Sequence, residues 1–140
     1  MKTQLYQSIR RFVPLTESEF EEFYSRIQVL SLKKREHLLK EGQTCKAAFF
    51  IVEGLIRYYH IIDGEEHTGQ FFFENGWYSD YESLLLQKPS DQYIQTLEST
   101  KVAVLSRQAI YELYEIVPRF ERFGRLMAEN AFIGLRRRTE

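Results

Sequence analysis

Short apolar runs alternate with polar turns from residue 27 to residue 105, and glycines recur in these turns every ten to twelve residues. This pattern is typical of antiparallel strands joined by tight turns. It predicts strands over Ile27–Leu32, His37–Lys40, Ala48–Val52, Leu55–Ile62, Glu65–Phe73, Tyr93–Leu97 and Lys101–Leu105. The sequence therefore predicts a mainly β fold with flanking helices, an antiparallel sandwich or jelly roll, rather than an α/β sheet.

Three details of the strand pattern are more specific. Ala48–Val52 is a continuous apolar run, as expected for a strand buried on both faces. Asp63-Gly64 follows the fourth run, and both residues tolerate the positive φ angles of a type I′ turn, so a hairpin is expected there. The last two runs are separated only by residues 98–100, and we expect them to pair with each other.

Helical periodicity precedes the strands. Thr3 to Arg11 place Leu5 and Ile9 on one face, which predicts a short amphipathic helix. Thr16 and Glu19 match the capping box that begins a second helix. The aromatic stripe of that helix is Phe20, Phe23 and Tyr24.

Two further helices are predicted after the strands. Ser106 caps a helix over Arg107–Val117, with Ile110, Leu113 and Tyr114 facing inward, and Pro118 begins a last, longer helix. The apolar positions of this last helix are Phe120, Phe123, Leu126, Met127, Ala131, Phe132, Ile133 and Leu135. They cover more than the single stripe that a surface helix needs.

A helix that is apolar on two faces must bury both. We expect one face to pack on the β domain and the other on the same helix of a second subunit, with Gly124 and Gly134 permitting close approach. The expected dimer interface is Phe120, Phe123, Met127, Asn130, Ala131 and Gly134. The alternative is a helix packed entirely within its own chain. The expected division is residues 1–117 for the β domain with its N-terminal helices and 118–140 for the dimerisation helix.

The stretch Asn75–Leu97 interrupts the strand pattern. Ser83–Leu86 is long enough for one helical turn, and Lys88–Asp91 indicates a turn that leads back into a strand. A helical turn and loop inserted between strands is a place where a small ligand can be held. The alternative is an ordinary long connection across the end of the β domain.

Composition excludes several classes of function. Nineteen basic and twenty acidic residues give a net charge of −1, which argues against a protein that coats nucleic acid. Cys45 is the only cysteine, so an internal disulfide and a four-thiolate iron–sulfur cluster are excluded. The first 15 residues lack the apolar core of a signal peptide, and we expect a cytoplasmic protein.

Catalytic and metal-binding patterns are weak. The three histidines are scattered, although His60 and His67 flank the expected hairpin turn and would approach each other across it. Asp80 and Glu82 form a carboxylate pair, for which a solvated loop is the simpler interpretation than acid–base chemistry. We expect no enzyme activity, no metal and no cofactor; the alternative from another class is a cupin-like metalloenzyme.

The order of these elements resembles the cyclic-nucleotide-binding domain and, more narrowly, the sensor half of Crp/Fnr-family bacterial transcription regulators. The resemblance covers essentially all 140 residues and implies a double-stranded β-helix, or jelly roll, with N-terminal helices and a long C-terminal dimerisation helix. Its motifs are Glu41-Gly42, Phe50-Ile51-Val52-Glu53-Gly54, Asn75-Gly76-Trp77-Tyr78 and Val102-Ala103-Val104-Leu105-Ser106. Trp77–Ser83, Ile94–Glu98 and Pro118–Phe123 resemble the divergent branch of the family found in Bacteroidetes-type bacteria.

The resemblance implies that residues 78–93, here called the cassette, hold the ligand. Nucleotide binders of the family open this segment with Gly-Glu, which binds the ribose 2′-hydroxyl, and close it with Arg-Ser or Arg-Thr, whose guanidinium pairs with the phosphate. A gap-free alignment places Ser79-Asp80 and Ser90-Asp91 at these positions. The expected ligand-binding residues are Tyr78, Ser79, Asp80, Glu82, Ser90, Asp91, Gln92 and Tyr93.

The phosphate-binding arginine is missing from this alignment, and Asp91 adds an anion beside the phosphate position. We therefore expect no physiological binding of cAMP or cGMP. A polyol or a cation suits the remaining residues better, and an empty cassette is the alternative.

The resemblance also implies a function. We expect the effector-sensing and dimerising part of a transcription regulator, acting as a homodimer with a possible small-molecule effector. A scaffold of the same fold that acts only through protein contacts is the alternative. Relatives in the family carry a winged helix-turn-helix after the long helix, so we expect these 140 residues not to read DNA by themselves.

Overall fold

The computed structural model describes the backbone of residues 1–139 and the side chains of residues 1–134. Its helices are α1 (Lys2–Arg10), α2 (Glu17–Tyr24), α3 (Tyr81–Leu86), α4 (Arg107–Ile116) and α5 (Arg119–Thr139). Its strands are β1 (Gln28–Leu32), β2 (His37–Leu39), β3 (Ala47–Glu53), β4 (Ile56–Ile62), β5 (Glu65–Phe72), β6 (Trp77–Tyr78), β7 (Tyr93–Thr96) and β8 (Thr100–Ser106).

The strands form two antiparallel sheets, with the orders β1-β8-β3-β6 and β2-β7-β4-β5. The predicted mainly β jelly roll with flanking helices is therefore confirmed. One apolar cluster, which includes Ile51, Ile56 and Ile94, fills the space between the sheets. A second cluster joins the outer face of the first sheet to the helices, through Phe50 and Leu113. The central strands β3 and β8 of the first sheet are thus covered on both faces, whereas β1 at its edge is mostly exposed.

This double burial explains β3. Residues 48–52 are all buried, because alternate side chains face the space between the sheets and the helix layer. The prediction of a strand buried on both faces is confirmed.

The predicted hairpin is also confirmed. β4 and β5 pair in antiparallel register around Asp63 and Gly64, whose φ angles are 53° and 79°. Positive φ at both central residues is the geometry of a type I′ turn. His60 and His67 are register partners, as expected.

The expected pairing of the last two strands is wrong. β7 pairs with β2 and β4, whereas β8 pairs with β1 and β3 in the other sheet. Residues 97–99 carry the chain from one sheet to the other, as residues 54–55 do between β3 and β4. The two connecting segments are hydrogen-bonded to each other, because the Leu97 N–H donates to the Leu55 carbonyl at 2.9 Å.

Local helix signals hold as predicted. Thr16 and Glu19 form the reciprocal capping box of α2, and the Ser106 hydroxyl accepts from the Ala109 N–H at the start of α4. The last helix begins at Arg119, one residue after the prediction, because Pro118 lies in the turn that follows α4. Within the described part of the chain, no helix is long and apolar enough to cross a membrane.

α5 uses its first turns within the chain. Phe120 and Phe123 are buried in the helix-layer core, where Phe120 stacks on Phe23 at 5.4 Å between ring centroids. Farther along the helix, Phe132 and Ile133 are exposed. The side chain of Leu135, which was also predicted to be apolar, lies outside the described residues, as does Glu140.

Candidate functional site

The two ends of the cassette bind each other. Asp80 caps α3, where its Oδ1 accepts from the Ser83 N–H at 3.3 Å. Its Oδ2 accepts from the Ser90 hydroxyl at 2.5 Å. These are the positions that the alignment gives to the ribose-binding acid and the phosphate-binding arginine. Here they close the cassette with a hydrogen bond inside the protein.

Further hydrogen bonds fix the cassette to the loop between β2 and β3. The Ser83 hydroxyl accepts from the Cys45 N–H at 2.8 Å and donates to the Lys88 carbonyl at 2.6 Å. Ser90 is bonded through its backbone N–H to Gln43 and through its carbonyl to Gly42, both at 2.8 Å. The cassette is therefore held in one position by its own chain.

The charged residues of the cassette other than Asp80 are exposed to solvent. Lys88 forms an ion pair with Glu82, and both side chains are more than half exposed. The Asp91 side chain is 82% exposed and lies 3.4 Å from His60 Nε2. Asp91 therefore does not place its charge where a buried ligand would lie, contrary to the expectation from the alignment.

A cleft of about 710 Å³ lies between the cassette, the inner face of β4 and β5, and the second half of α5. This volume is in the range of small-molecule sites in proteins. Its aromatic lining is Phe12, Tyr58, Phe72, Trp77, Tyr78, Tyr81 and Phe132. Its polar lining includes Ser8, Arg11, Gln70, Asn75, Ser79, Asp80, Glu82, Gln92 and Asn130.

Three rings form one wall of this cleft. Tyr78 stacks on Phe72 at 4.2 Å and on Tyr58 at 5.5 Å between ring centroids, and Tyr58 and Phe72 are themselves 6.3 Å apart. The Tyr78 hydroxyl donates to Gln92 Oε1 at 2.6 Å. Burial raises the pKa of the Tyr78 phenol well above its ordinary value, and burial also raises the pKa of Tyr81.

These raised pKa values predict unfolding in alkali. The folded protein keeps the two phenolic protons above about pH 10, where the unfolded chain loses them. Raising the pH therefore lowers the free energy of unfolding, by about 1.4 kcal/mol per pH unit for each such tyrosine. Urea titrations between pH 8 and about pH 11 should show this decline. Tyr78→Phe should make it shallower above pH 10, and parallel curves for the two proteins would contradict the assignment.

The Asp80–Ser90 bond predicts a large effect of Asp80→Ala. This change removes a helix cap and a charge-assisted hydrogen bond, so the free energy of unfolding should fall by about 2–4 kcal/mol. Glu82→Ala is the matched control, because its exposed ion pair contributes less than about 1 kcal/mol. Equal losses in urea denaturation would show that the bond does not stabilise the cassette.

The structure separates the predicted ligand-binding residues into two groups. Tyr78, Ser79, Asp80, Glu82 and Gln92 line the cleft, whereas Ser90, Asp91 and Tyr93 do not.

Tyr93 faces away from the cleft because it precedes the buried Ile94 in a strand, where successive side chains alternate. Its ring stacks on Tyr59 at 4.9 Å between ring centroids.

Two of the six predicted dimer residues are buried within the chain, and the predicted interface stays a prediction. Phe120 and Phe123 are in the core, and Met127, Asn130 and Ala131 line the cleft. A Cβ added at Gly134 would lie 3.8 Å from Gln70 of β5.

Sequence reasoning missed the cleft residues that lie far from the cassette. Gln70 and Phe72 flank the exposed Phe71 in β5, but the sequence carries no period-two signal there, because the inward Gln70 is polar and the outward Phe71 is apolar. Arg11 gave no such signal, because its position beside the cleft depends on how α1 packs.

Metal-binding and thiol candidates remain isolated. In the described part of the chain, no three histidine, cysteine, aspartate or glutamate side chains form a group that can hold a metal ion. Cys45 is buried, and its thiol lies 3.3 Å from the Ser79 hydroxyl.

A family profile described as the cyclic nucleotide-binding domain matches residues 29–116, which is more than half of the chain. The chain belongs to the cyclic nucleotide-binding domain family. No curated protein sequence matches it at a significant level.

Solved structures of this family share the fold. A cyclic nucleotide-binding domain from Methylobacillus flagellatus KT has 18% sequence identity and a TM-score of 0.80, over 97% of this chain and 81% of that one. The sensor domain of the transcriptional regulator DNR from Pseudomonas aeruginosa has 12% identity and a TM-score of 0.73, over 93% and 92%.

The catabolite activator protein of Thermus thermophilus is a longer relative. It has 18% identity and a TM-score of 0.72, and the match covers 84% of this chain and 55% of that protein. This chain thus spans about half the length of that regulator. The resemblance to Crp/Fnr-type regulators in fold is confirmed, and the Bacteroidetes-type branch stays a prediction.

Proposed function

We propose that this cyclic nucleotide-binding domain is the effector-sensing and dimerising part of a Crp/Fnr-type transcription regulator, and that it has no enzymatic activity. The cleft between the cassette and α5 carries the proposal, because a ligand there would contact both the ligand-binding segment and the long helix. The likeness to the DNR sensor domain over almost the full length of both chains also supports it. Such a regulator would act in the cytoplasm.

The proposed domain does not use cyclic nucleotides as effectors. Ser90 stands at the position that the alignment gives to the phosphate-binding arginine, and its hydroxyl donates a hydrogen bond to Asp80. No guanidinium or ammonium group of the cassette lines the cleft.

Dimerisation is proposed through the outer face of α5. Ile133 is an exposed apolar side chain of α5 that does not line the cleft, Phe132 is exposed beside it at the edge of the cleft, and exposed apolar side chains of this kind are stabilised by pairing with a second copy. The division into residues 1–117 and 118–140 remains part of this proposal. Because Phe120 and Phe123 pack in the core, the first turns of α5 would stay with the β domain when the rest pairs.

Sedimentation of the purified chain tests the dimer. The wild type should sediment as a dimer, and Ile133→Asp should shift it toward monomer because a carboxylate would be placed in an apolar interface. Ile116→Asp changes an equally exposed isoleucine on α4 and should leave the dimer intact. A monomeric wild type, or equal effects of the two changes, would count against the proposed interface.

A scaffold that acts only through protein contacts is the second candidate. The closed cassette favours the scaffold function, because the Asp80 and Ser90 side chains are already hydrogen-bonded to each other without a ligand. Binding of a small molecule in the cleft distinguishes the two functions.

A further inference from the structure

The polar groups of the cassette that face the cleft are already bonded within the protein. Asp80 accepts one hydrogen bond on each carboxylate oxygen. The Ser79 hydroxyl donates to the Ala47 carbonyl at 2.8 Å. Glu82 is paired with Lys88. The cassette therefore offers a ligand few free groups, and specificity must come from the other walls of the cleft.

The other walls carry free hydrogen-bond donors. Among the described residues, the side chains of Gln70 and Asn130 have no hydrogen-bond partner, and within the cassette the Gln92 amide nitrogen has none either. Of the residues whose side chains the structure describes, Arg11 is the only cationic one that lines the cleft. Its guanidinium lies 5.6 Å from the centre of the Phe12 ring and forms no ion pair with a described side chain. A ligand that accepts hydrogen bonds and carries negative charge matches this set.

The shape of the apolar wall indicates a flat ligand. The Phe72 and Tyr78 rings are inclined by only 22°, and the Tyr58 and Tyr78 rings by 10°. Nearly parallel rings form a slab on which another ring packs in offset or edge contact. The cleft of about 710 Å³ holds one small molecule of this kind.

The charge of the ligand is limited to about one. A single guanidinium binds a carboxylate through two parallel hydrogen bonds. A phosphate dianion would bring a second negative charge near Asp80 and Glu82, with no second cation among the lining residues in the part of the chain whose side chains are described. Given the sensing function proposed above, we infer that the cleft binds a small planar aromatic carboxylic acid, with Arg11 pairing with its carboxylate.

Trp77 provides a direct reporter of this binding. It is the only tryptophan, it lines the cleft, and its indole N–H donates to the Ser8 hydroxyl at 3.0 Å. The indole N–H therefore gives a single signal in ¹H–¹⁵N NMR spectra. Three probes separate charge from shape: 4-hydroxybenzoate, its neutral amide 4-hydroxybenzamide, and the non-planar acid cyclohexanecarboxylate.

Titration of the wild-type chain should shift the Trp77 signal with 4-hydroxybenzoate at a Kd at least about tenfold below that of 4-hydroxybenzamide, the factor expected for one charge-assisted hydrogen-bonded pair. Cyclohexanecarboxylate keeps the charge but cannot pack flat on the rings, so its Kd should also be higher than that of 4-hydroxybenzoate. Arg11→Gln should weaken the binding of 4-hydroxybenzoate about tenfold and leave the affinity for 4-hydroxybenzamide unchanged. Arg10→Gln is the matched control, because Arg10 is exposed on the same helix and does not line the cleft.

Equal affinities for the acid and the amide, or an unchanged acid affinity in Arg11→Gln, would overturn the inferred ligand class while leaving a sensing role intact. If none of the three probes shifts Trp77 in the folded protein, the inference is also overturned. In that case the sedimentation experiment decides separately whether the dimerising function stands.

Discussion

Replacing Gly54 with alanine is expected to lower the free energy of unfolding by about 3–5 kcal/mol. Gly54 has φ +113°, a conformation that residues with a Cβ rarely adopt. An added Cβ would lie 2.4 Å from the Thr100 hydroxyl and 2.8 Å from the Thr100 Cα. The backbone of Thr100 cannot move away easily, because it begins β8 where the chain enters the first sheet.

Gly64→Ala is the matched control for Gly54→Ala. Gly64 also has a positive φ, +79°, but nothing lies within 4 Å of an added Cβ. Gly64→Ala should therefore lower the free energy of unfolding only by the backbone strain, about 1–2 kcal/mol. Urea or thermal denaturation measures both. Similar losses of unfolding free energy for the two substitutions would mean that Thr100 does not pack tightly against Gly54.

The second large effect is expected from Ser90→Arg. This change supplies a guanidinium at the position where nucleotide-binding relatives of the fold carry one, and we expect affinity for cAMP to rise at least about tenfold over the wild type. Asp80 lies beside the new cation and would help to orient it. Calorimetric titration with cAMP measures the gain.

Lys88→Arg is the control for this gain. It also introduces a guanidinium into the cassette, but in an exposed side chain that is already paired with Glu82. It should leave cAMP binding unchanged. Equal gains for the two variants would show that general positive charge, rather than the position of Ser90, governs binding.

Much of the fold follows from local patterns. The capping box at Thr16, the hairpin at Asp63-Gly64 and the buried strand β3 each depend on a few neighbouring residues, and each forms as predicted. The pairing of β7 and β8 does not follow from neighbours. A three-residue connection suits a hairpin, yet here it crosses between sheets because both strands have partners elsewhere in the chain.

The candidate site was predictable only in part. Alignment identified Asp80 and Ser90 as the two key positions, but residue types alone did not indicate that they bind each other. The direction of Tyr93 depends on strand parity, which the alignment did not fix. Arg11 reaches the cleft from α1, and such a contact depends on tertiary packing that no local pattern encodes.

The alignment, which places Ser90 at the position of the phosphate-binding arginine, predicts a calculable loss of nucleotide affinity. Loss of a charge-assisted pair costs about 1.5–3 kcal/mol, which is about 10- to 150-fold in affinity. Asp91 adds less repulsion than the alignment implied, because its side chain is exposed and close to His60. The prediction that cyclic nucleotides do not bind therefore rests on the cation missing from position 90 and on the hydrogen bond between Asp80 and Ser90.

Calorimetric titration of the wild-type chain with cAMP and cGMP tests the central claim most directly. A cassette closed by its own Asp80–Ser90 bond, with no cationic side chain of its own lining the cleft, should give no binding heat at nucleotide concentrations up to about 1 mM. A micromolar Kd for either nucleotide would contradict the account, because the protein would then bind the cyclic phosphate with a serine, and not an arginine, at position 90.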